Sequence, residues 1–210
     1  AIIEKYSIGD KSPDFKNSDL VIAGGGADQE QSILAKDLIK YKDNIKEAVN
    51  NGVFFLLICG AYQLFGKYYK GVEGNIIPGL EIFNYYTEAI ENRKKRCIGN
   101  IVIEANLNGE KTKIIGFENH GGQTFDIDTP FGDVLFGNGN KFGDSKEGFF
   151  LKNVIATYLH GPLLSKNPEL ADYIISHCLN RKYNEDIKLE PLNDDFENLC
   201  RKQLLDNFLN

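Results

Sequence analysis

A cysteine at the end of a long apolar run is the residue of this sequence best placed to do chemistry. Val53 to Ile58 are six consecutive apolar residues, followed directly by Cys59, Gly60 and Ala61. Such a run predicts a strand that is buried on both faces, and the small residues after it allow a helix to begin at once. A strand that enters a helix through so tight a turn forms a nucleophile elbow. We therefore predict that Cys59 is a thiolate nucleophile rather than a buried structural cysteine.

A thiolate nucleophile needs a base, and the chain has three histidines. His160 follows the strand-like segment 153–159, which brings it to the same carboxyl edge of a sheet as Cys59. His120 also follows a strand and could line the site, whereas His177 falls inside a helical segment where a surface position is expected. We predict that His160 is the general base. Its imidazole and the N-terminal end of the elbow helix would favour the thiolate form of Cys59.

Acyl transfer also needs backbone N–H groups that face the developing negative charge. The elbow supplies one such donor from Gly60. The three glycines at 24–26 end a neighbouring strand, and either Gly25 or Gly26 can supply a second donor without a Cβ atom in the way. A plain tight turn or a phosphate-binding loop would also explain this run, but its spacing is not GxGxxG. We predict an oxyanion hole at these glycines.

The elements that must position these residues follow a strand–helix–strand pattern. Residues 19–23 predict a strand, Asp28 is expected to cap the following helix, and a break is expected near Tyr41. The elbow strand comes next, so the two strands should be parallel. The first six residues look like a further strand that is already under way at Ala1. These patterns predict an α/β fold.

The second half of the chain has shorter and more polar elements. Asn108-Gly109 predicts a hairpin between strands at 98–104 and 113–118. Residues 66–79 are glycine-rich and predict a loop, and residues 132–148 are expected to be too polar for the core.

Two helices are predicted at the C-terminal end. The first begins at Pro168 and has an apolar stripe that includes Cys178. The second begins at Asp194, and its apolar residues are expected to face inward; they are Phe196, Leu199, Leu204 and Phe208.

Composition and charge exclude several classes of function. The chain has 210 residues, 42% of them hydrophobic, which fits one globular domain with a sizeable core. A formal net charge of −6 argues against a nucleic-acid partner. No apolar run is long enough to span a membrane, and no signal peptide is visible. The four cysteines lack a metal-ligand spacing, so no metal site is predicted. Cys178 and Cys200 are expected to be core thiols in a reducing cytoplasm.

Four motifs resemble, in order, a known family. They are Ala23–Gly26, Cys59–Gln63, Glu118–Gly122 and Tyr158–Pro162, and as a set they are similar to the class I glutamine amidotransferases of the cobyric-acid-synthase (CobB/CobQ) type. The resemblance implies a flavodoxin-like, mostly parallel sheet flanked by helices, with a small antiparallel region, and the hydrolysis of glutamine to glutamate and ammonia. Such proteins usually begin with one more strand and helix. Residues 1–210 are therefore expected to be a single amidotransferase domain that lacks this N-terminal part.

The resemblance also implies roles for individual residues. Cys59 would be the nucleophile and His160 the base. An arginine that holds the substrate would be Arg96, with Arg93 as the close rival. Members with a complete triad carry a glutamate two positions after the histidine, where this chain has Pro162; either a dyad works alone or a partner supplies the carboxylate. The residues implied to face the glutamine, besides the arginine, are Gln63, Asn119, His120 and Gly121.

Within the family, the closest likeness is to the glutaminase subunits of bacterial lipid II isoglutaminyl synthase. It implies that the ammonia passes to a MurT-like Mur ligase subunit, which would bind ATP and Mg²⁺ and amidate D-glutamate of the peptidoglycan stem peptide. This chain itself would need no cofactor. Three alternatives stay open, namely corrinoid amidation of the cobyric-acid type, a cysteine hydrolase or peptidase on the same fold, and a catalytically silent binding subunit.

Overall fold

The computed structural model describes residues 1–26 and 28–209 as an α/β fold. The side chains of Asp28 and Arg93 lie outside the described part, and with them the predicted helix cap and the rival substrate arginine. The helices are α1 (Asp28–Leu38), α2 (Lys42–Asn50), α3 (Gly60–Phe65), α4 (Leu163–Lys166), α5 (Pro168–Tyr183) and α6 (Asp195–Leu209). The strands are β1 (Leu20–Ala23), β2 (Phe54–Ile58), β3 (Tyr68–Lys70), β4 (Ile76–Pro78), β5 (Tyr86–Ala89), β6 (Cys97–Leu107), β7 (Glu110–His120), β8 (Gly122–Phe125), β9 (Gly132–Phe136), β10 (Lys146–Glu147), β11 (Phe149–Leu151) and β12 (Val154–Thr157).

The sheet that positions the predicted site has the strand order β1-β2-β12-β11. Strand β2 pairs in parallel with β1 on one side and with β12 on the other, and β11 adds an antiparallel edge. Parallel strands end at the same edge, so the residues after Ala23, Ile58 and Thr157 all emerge there. The predicted parallel arrangement around the elbow strand is confirmed.

Strand β2 is buried on both faces, as its continuous apolar run predicted. Phe55 and Leu57 belong to a core cluster with Ile45 of α2, whereas Phe54 and Leu56 pack in a second cluster. That second cluster also contains residues of β6, β7 and α5. The alternation of side chains along a strand therefore joins two hydrophobic cores through one element.

The crossover from β1 to β2 runs through α1, a short 3₁₀ turn at Ile39–Tyr41 and α2. The predicted break near Tyr41 is confirmed by this turn. Ala48 and Val49 of α2 are buried, and the N–H of Val53 donates to the carbonyl of Ala48. The helix is therefore fixed directly to the start of the elbow strand.

Strands β6 and β7 form a long antiparallel hairpin at Asn108-Gly109, as predicted. Both turn residues have positive φ, at 53° and 91°, which a two-residue hairpin turn of type I′ requires. The register pairs Leu107 with Glu110 and, at the far end, Cys97 with His120. The hairpin belongs to a sheet of order β10-β9-β6-β7, so the antiparallel part of the fold is larger than expected.

Three predictions about local structure are wrong. Residues 1–6 form no strand, and Ile2 and Ile3 are 94% and 83% exposed, because an apolar pattern makes a strand only where another strand pairs with it. The expected loop at 66–79 contains β3 and β4, which belong to a third sheet of order β4-β3-β5-β8. The expected polar surface at 132–148 contains β9 and β10 and buries polar residues by hydrogen bonding them internally.

The C-terminal helices follow the prediction only in part. Helix α5 begins at Pro168 as expected and buries two apolar side chains. Helix α6 leaves Phe196 and Leu199 exposed, and Cys200 is an exposed thiol rather than a core thiol. Phe208, by contrast, stacks on Phe136 at a ring distance of 5.0 Å. Among the described residues, no helix has the length and apolar character that crossing a bilayer requires.

Candidate active site

Cys59 occupies a strained elbow between β2 and α3. Its backbone has φ 56° and ψ −107°, a region that non-glycine residues rarely adopt. The Cys59 N–H donates to the carbonyl of Thr157 at 2.9 Å, and its own carbonyl accepts from the N–H of Gln63 at 3.1 Å. The thiol is half-buried. The predicted elbow is therefore confirmed, and the flanking strand and helix hold it from both sides.

The glycines after β1 lie directly against this elbow. A Cβ atom on Gly25 would lie 2.9 Å from the Cβ of Cys59, 3.2 Å from its Sγ and 3.3 Å from the backbone N of Gly60. Only glycine fits at such a distance. Gly25 and Gly60 therefore place their backbone beside the thiol, where the predicted oxyanion donors are needed. Gly26 lies farther along, where a Cβ atom would meet Glu30 instead.

A buried glutamine of α1, which sequence reasoning missed, supports the same glycines. Gln31 is 4% exposed, and its Nε2 donates to the carbonyl of Gly26 at 3.1 Å and to Oε1 of Gln63 at 3.2 Å. A Cβ atom on Gly60 would lie 2.6 Å from this Nε2. Gln31 thus fills the space that a side chain at position 60 would need.

His160 emerges at the carboxyl edge that also carries Cys59. Its backbone N–H donates to the carbonyl of Phe117 at 2.8 Å, and its ring Nδ1 lies 3.0 Å from the same oxygen. An Nδ1–H that donates to this carbonyl leaves the lone pair on Nε2, the tautomer that a general base uses. Pro162 gives no carboxylate, so a backbone carbonyl fixes the ring where triad members use a glutamate.

Gln63 is buried, and both ends of its side-chain amide are hydrogen bonded within the protein. It is 3% exposed, its Nε2 donates to the hydroxyl of Tyr158 at 3.1 Å, and its Oε1 accepts from Gln31. The Tyr158 hydroxyl continues the chain with a 2.7 Å hydrogen bond to Thr124. The implied contact between Gln63 and glutamine stays a prediction; in the structure this side chain ties the elbow helix to the segment that carries His160.

His120 is buried in the same way. It is 2% exposed, and its ring stacks on that of Tyr158 at 3.6 Å and 5°. Its Nδ1 lies 2.7 Å from the carbonyl of Gly122. Burial lowers the pKa of the His120 imidazole to about 4, so the ring is neutral at physiological pH. The ring supports Tyr158 in the structure, and the implied contact with glutamine stays a prediction.

The other implied substrate residues lie together at the surface. Arg96 and Asn119 are both exposed, and Nη2 of Arg96 donates to Oδ1 of Asn119 at 3.2 Å. A Cβ atom on Gly121 would lie 3.2 Å from Nη1 of the same arginine. The structure thus brings these three residues together at the open end of the β6–β7 hairpin, opposite its turn.

Glu147 is a second buried residue that sequence reasoning missed. It is fully buried, accepts from the N–H of Tyr158 at 2.7 Å, and receives the hydroxyl of Thr157 on both carboxylate oxygens at 2.9 and 3.0 Å. Burial raises the pKa of the Glu147 carboxyl to about 8. The residue lies in a region expected to be surface, and its hydrogen bonds to Thr157 and Tyr158 hold it against the segment before His160.

Three features meet at one edge of the sheet: a cysteine in a strained elbow, glycines that follow a neighbouring strand, and a histidine whose tautomer is fixed. This arrangement is typical of enzymes that use cysteine for acyl transfer. The chain belongs to the family described as the CobB/CobQ-like glutamine amidotransferase domain, which residues 3–168 match. The resemblance found in the four motifs is thereby confirmed.

Three individual members of the family are similar to this chain to different degrees. The chain is 43% identical over 192 residues to the lipid II isoglutaminyl synthase (glutamine-hydrolyzing) subunit GatD of Staphylococcus aureus (strain N315), covering 91% of this chain and 75% of that protein. The subunit of the same name from Streptococcus pneumoniae (strain ATCC BAA-255 / R6) is 41% identical over 183 residues, covering 86% and 69%. A probable cobyric acid synthase of Methanococcus vannielii is 31% identical over 169 residues, covering 76% of this chain but 32% of that protein.

The fold has a counterpart among solved structures. A crystal structure described as a glutamine amidotransferase superposes with a TM-score of 0.56 at 16% identity, covering 76% of this chain and 79% of the other. At this identity the likeness concerns the fold alone, and it confirms the predicted α/β amidotransferase architecture.

Proposed function

We propose that this chain is the glutaminase subunit of a lipid II isoglutaminyl synthase. It hydrolyses L-glutamine to glutamate and ammonia, and a MurT-like, ATP-dependent ligase uses the ammonia to amidate D-glutamate of the lipid II stem peptide. The observation that carries this proposal is the 43% and 41% identity, over most of this chain, to two relatives that bear the name of that subunit. The cobyric-acid alternative is supported less well, because those relatives are less similar and are matched over about a third of their length.

The geometry supports a thiolate mechanism for the hydrolysis. His160 takes the thiol proton at Nε2, and the Cys59 sulfur attacks the carboxamide carbon of glutamine. The N–H groups of Gly25 and Gly60, which lie against Cys59, stabilise the oxyanion that forms. His160 then returns the proton to the leaving ammonia, and water hydrolyses the thioester to glutamate with His160 as base.

The exposed side chains of Arg96 and Asn119, at the open end of the β6–β7 hairpin, suit the α-carboxylate of the substrate. We assign this contact to Arg96, because a guanidinium binds a carboxylate through two charge-assisted hydrogen bonds. Its bond to Asn119 already holds the guanidinium in place, with Gly121 alongside.

The remaining expectations concern the assembly. The ligase subunit, and not this chain, is proposed to bind ATP and Mg²⁺, so this chain needs no cofactor of its own for glutamine hydrolysis. We propose a cytoplasmic location for the complex, because the proposed ligase uses ATP.

Labelling and assay of a Cys59→Ala variant test the proposal. We expect this variant to lose glutamine hydrolysis while keeping the fold, because alanine has the same backbone constraints as cysteine but no nucleophile. A glutamine-analogue electrophile such as diazo-oxo-norleucine should label Cys59 alone, detected by mass spectrometry of peptides. Cys97 is the internal control, since it is fully buried and burial raises the pKa of its thiol to about 11. Labelling of Cys97 with Cys59 unmodified would remove the basis of the assignment.

The same assay separates the alternatives. Ammonia release that depends on a Mur-ligase-like partner supports the synthase, and release of ammonia that no ligase captures supports an independent cysteine hydrolase. A chain that binds the partner and never turns over glutamine would be a silent binding subunit.

A further inference from the structure

Three side chains with metal-ligating atoms meet on one face of the β6–β7 hairpin. Cys97 is paired directly with His120, and Glu118 lies two residues earlier on the same face. The sulfur of Cys97, a carboxylate oxygen of Glu118 and a ring nitrogen of His120 all lie within 4.8 Å of one another. The three residues are 0%, 1% and 2% exposed.

One atom of this cluster lacks a partner. Nε2 of His120 is buried and has no hydrogen-bond partner among the described residues. Since Nδ1 lies 2.7 Å from the carbonyl of Gly122, Nδ1 carries the hydrogen and Nε2 carries the lone pair. A buried acceptor without a donor is destabilising, and few such atoms occur in folded proteins. The neutral imidazole with its Nδ1–H on a backbone carbonyl is also the arrangement that orients a metal-binding histidine.

The carboxylate of Glu118 is oriented by outer partners as well. Its Oε1 accepts from the N–H and from Nδ2 of Asn138, and its Oε2 accepts from the N–H of Gly139 at 3.1 Å. A carboxylate offers about four acceptor positions, so one remains for a further bond. Nε2 of Gln123 donates to the Cys97 sulfur over a long 3.9 Å contact, and among the three metal-ligating atoms themselves only the sulfur of Cys97 carries a hydrogen when Glu118 is ionised. A cation at their centre would satisfy all three.

We propose that Cys97, Glu118 and His120 bind a divalent metal ion of the zinc class. Thiolate, carboxylate and neutral imidazole are all ligands of zinc. Binding releases the thiol proton to solvent, and the resulting thiolate and carboxylate balance the charge of the ion, as a buried site requires. With metal–ligand bonds of about 2.0–2.3 Å, ligand atoms lie roughly 3.5 Å apart, so the three side chains need only move slightly toward the ion.

The cluster lies against the elements that hold the active site. The ion would link the first residue of β6 to the last residues of β7. Strand β7 also carries Phe117, whose carbonyl holds His160. The ring of His120 stacks on Tyr158, which hydrogen bonds to Gln63 of the elbow helix. Linear spacing does not show this site, because the hairpin turn brings together residues that are far apart in sequence.

The test uses the full chain without a polyhistidine tag and in a Cys59→Ala background, because Cys59 and His160 also offer a thiolate and an imidazole. Metal content after purification and titration with Co²⁺, followed by thiolate-to-cobalt charge-transfer absorption, measure binding. We expect one ion per chain, displaced by Zn²⁺. Adding Cys97→Ala should weaken binding by more than about 100-fold, since loss of outer partners alone costs 10- to 100-fold. Adding Cys200→Ala, at an exposed thiol of α6, is the matched control and should leave binding unchanged.

Thermal unfolding provides a second readout. Zn²⁺ should raise the midpoint of the Cys59→Ala chain relative to chelator, and should not raise it when Cys97 is also replaced. If Cys97→Ala fails to fold, Cys97→Ser takes its place. Absence of saturable binding, or binding that survives loss of Cys97, overturns the proposal. A proton shared by Glu118 and His120 would then account for the buried Nε2 of His120. Neither readout uses glutaminase activity, so failure here is separate from failure of the proposed function.

Discussion

Cys59 keeps a backbone conformation that costs on the order of 1–3 kcal/mol. Its φ of 56° persists because the Thr157 carbonyl and the Gln63 N–H hold the peptide groups on either side of it. The strain turns the side chain away from both the strand and the helix, which is how an elbow exposes a nucleophile on an otherwise buried element. The half-buried thiol that follows a strand with four buried residues out of five is the direct result.

Substitution of Gly25 tests how closely the glycines after β1 must approach the Cys59 thiol. We expect Gly25→Ala to lower kcat by about 100- to 1,000-fold, the usual loss for one displaced oxyanion donor, because its Cβ would lie 2.9 Å from the Cβ of Cys59. Steady-state glutaminase assays measure the effect. Gly24→Ala is the control, since no atom lies within 4 Å of a Cβ at that position. Equal losses for the two variants would show that the approach of Gly25 to the thiol is not what matters.

His160 and His177 differ in the role that each is expected to have. His160→Ala should reduce kcat by roughly 100- to 10,000-fold, the range for a positioned acid–base group. His177→Ala should leave kcat nearly unchanged, because this half-buried ring packs at 5.2 Å against the ring of Phe54, on helix α5 rather than at the end of a strand. Kinetics of both variants, with thermal unfolding to check the fold, measure this. An essential His177 beside a dispensable His160 would contradict the assignment.

Residue types at strand ends were predictable from sequence, whereas the directions of their side chains were not. The elbow at Cys59 and the placement of His160 at the same edge follow from apolar runs that stop at these residues. Gln63 and His120 belong to the same motifs, but both turn inward toward Tyr158. A motif shows that a residue is near the site and cannot show whether its side chain faces the substrate or supports the wall.

At the scale of elements, the hairpin was the most predictable part of the fold, and the buried polar segments were the least. Asn108-Gly109 specifies a two-residue turn, and that turn alone fixes every pair up to Cys97 with His120. Residues 132–148 have the composition of a surface loop, yet they bury Asn140 and Glu147. Such burial depends on hydrogen-bond partners distant in sequence, which no local pattern reports.

Glu147 makes this segment sensitive to pH. Burial raises the pKa of its carboxyl from 4.5 to about 8, so the folded chain holds this proton more tightly than the unfolded chain. Its contribution to stability is therefore complete below about pH 4.5 and is lost as pH rises toward 8. We expect the contribution of Glu147 to the free energy of unfolding to fall by up to about 1.4 kcal/mol per pH unit between pH 4.5 and 8. Urea unfolding from pH 5 to 8 measures the slope.

Two variants isolate the contribution of Glu147. Glu147→Gln keeps an acceptor for the N–H of Tyr158 and removes the titration, so its stability should fall less with pH than that of the unaltered chain. Glu110→Gln, at an exposed position of β7, should follow the unaltered chain. Identical slopes for all three proteins would mean that Glu147 titrates alike in the folded and unfolded chains.

At the scale of the whole molecule, the carboxyl edge is open and polar. Gly24–Gly26 are exposed beside the half-buried Cys59, and Arg96 and Asn119 are exposed at the open end of the β6–β7 hairpin. A ligase that receives ammonia from this edge must lie over it, because ammonia released into solvent is lost by dilution and protonation. The proposed partner surface is therefore the edge that carries the site.

Docking of the ligase subunit should also complete the catalytic machinery. The Phe117 carbonyl already fixes the tautomer of His160, but a neutral carbonyl stabilises the imidazolium less than the carboxylate of a triad does. A hydrogen bond to a charged group contributes roughly 1–1.5 kcal/mol more than a neutral one, which corresponds to about tenfold in rate. We expect the isolated chain to be a poor glutaminase that a MurT-like subunit activates at least about tenfold, by placing an acidic side chain where the Phe117 carbonyl now accepts from Nδ1–H of His160 and by covering the edge. Glutaminase assays of the chain alone and with the ligase subunit measure this, with Cys59→Ala plus ligase as the inactive control. Full activity in the isolated chain would refute completion by the partner and favour an independent hydrolase.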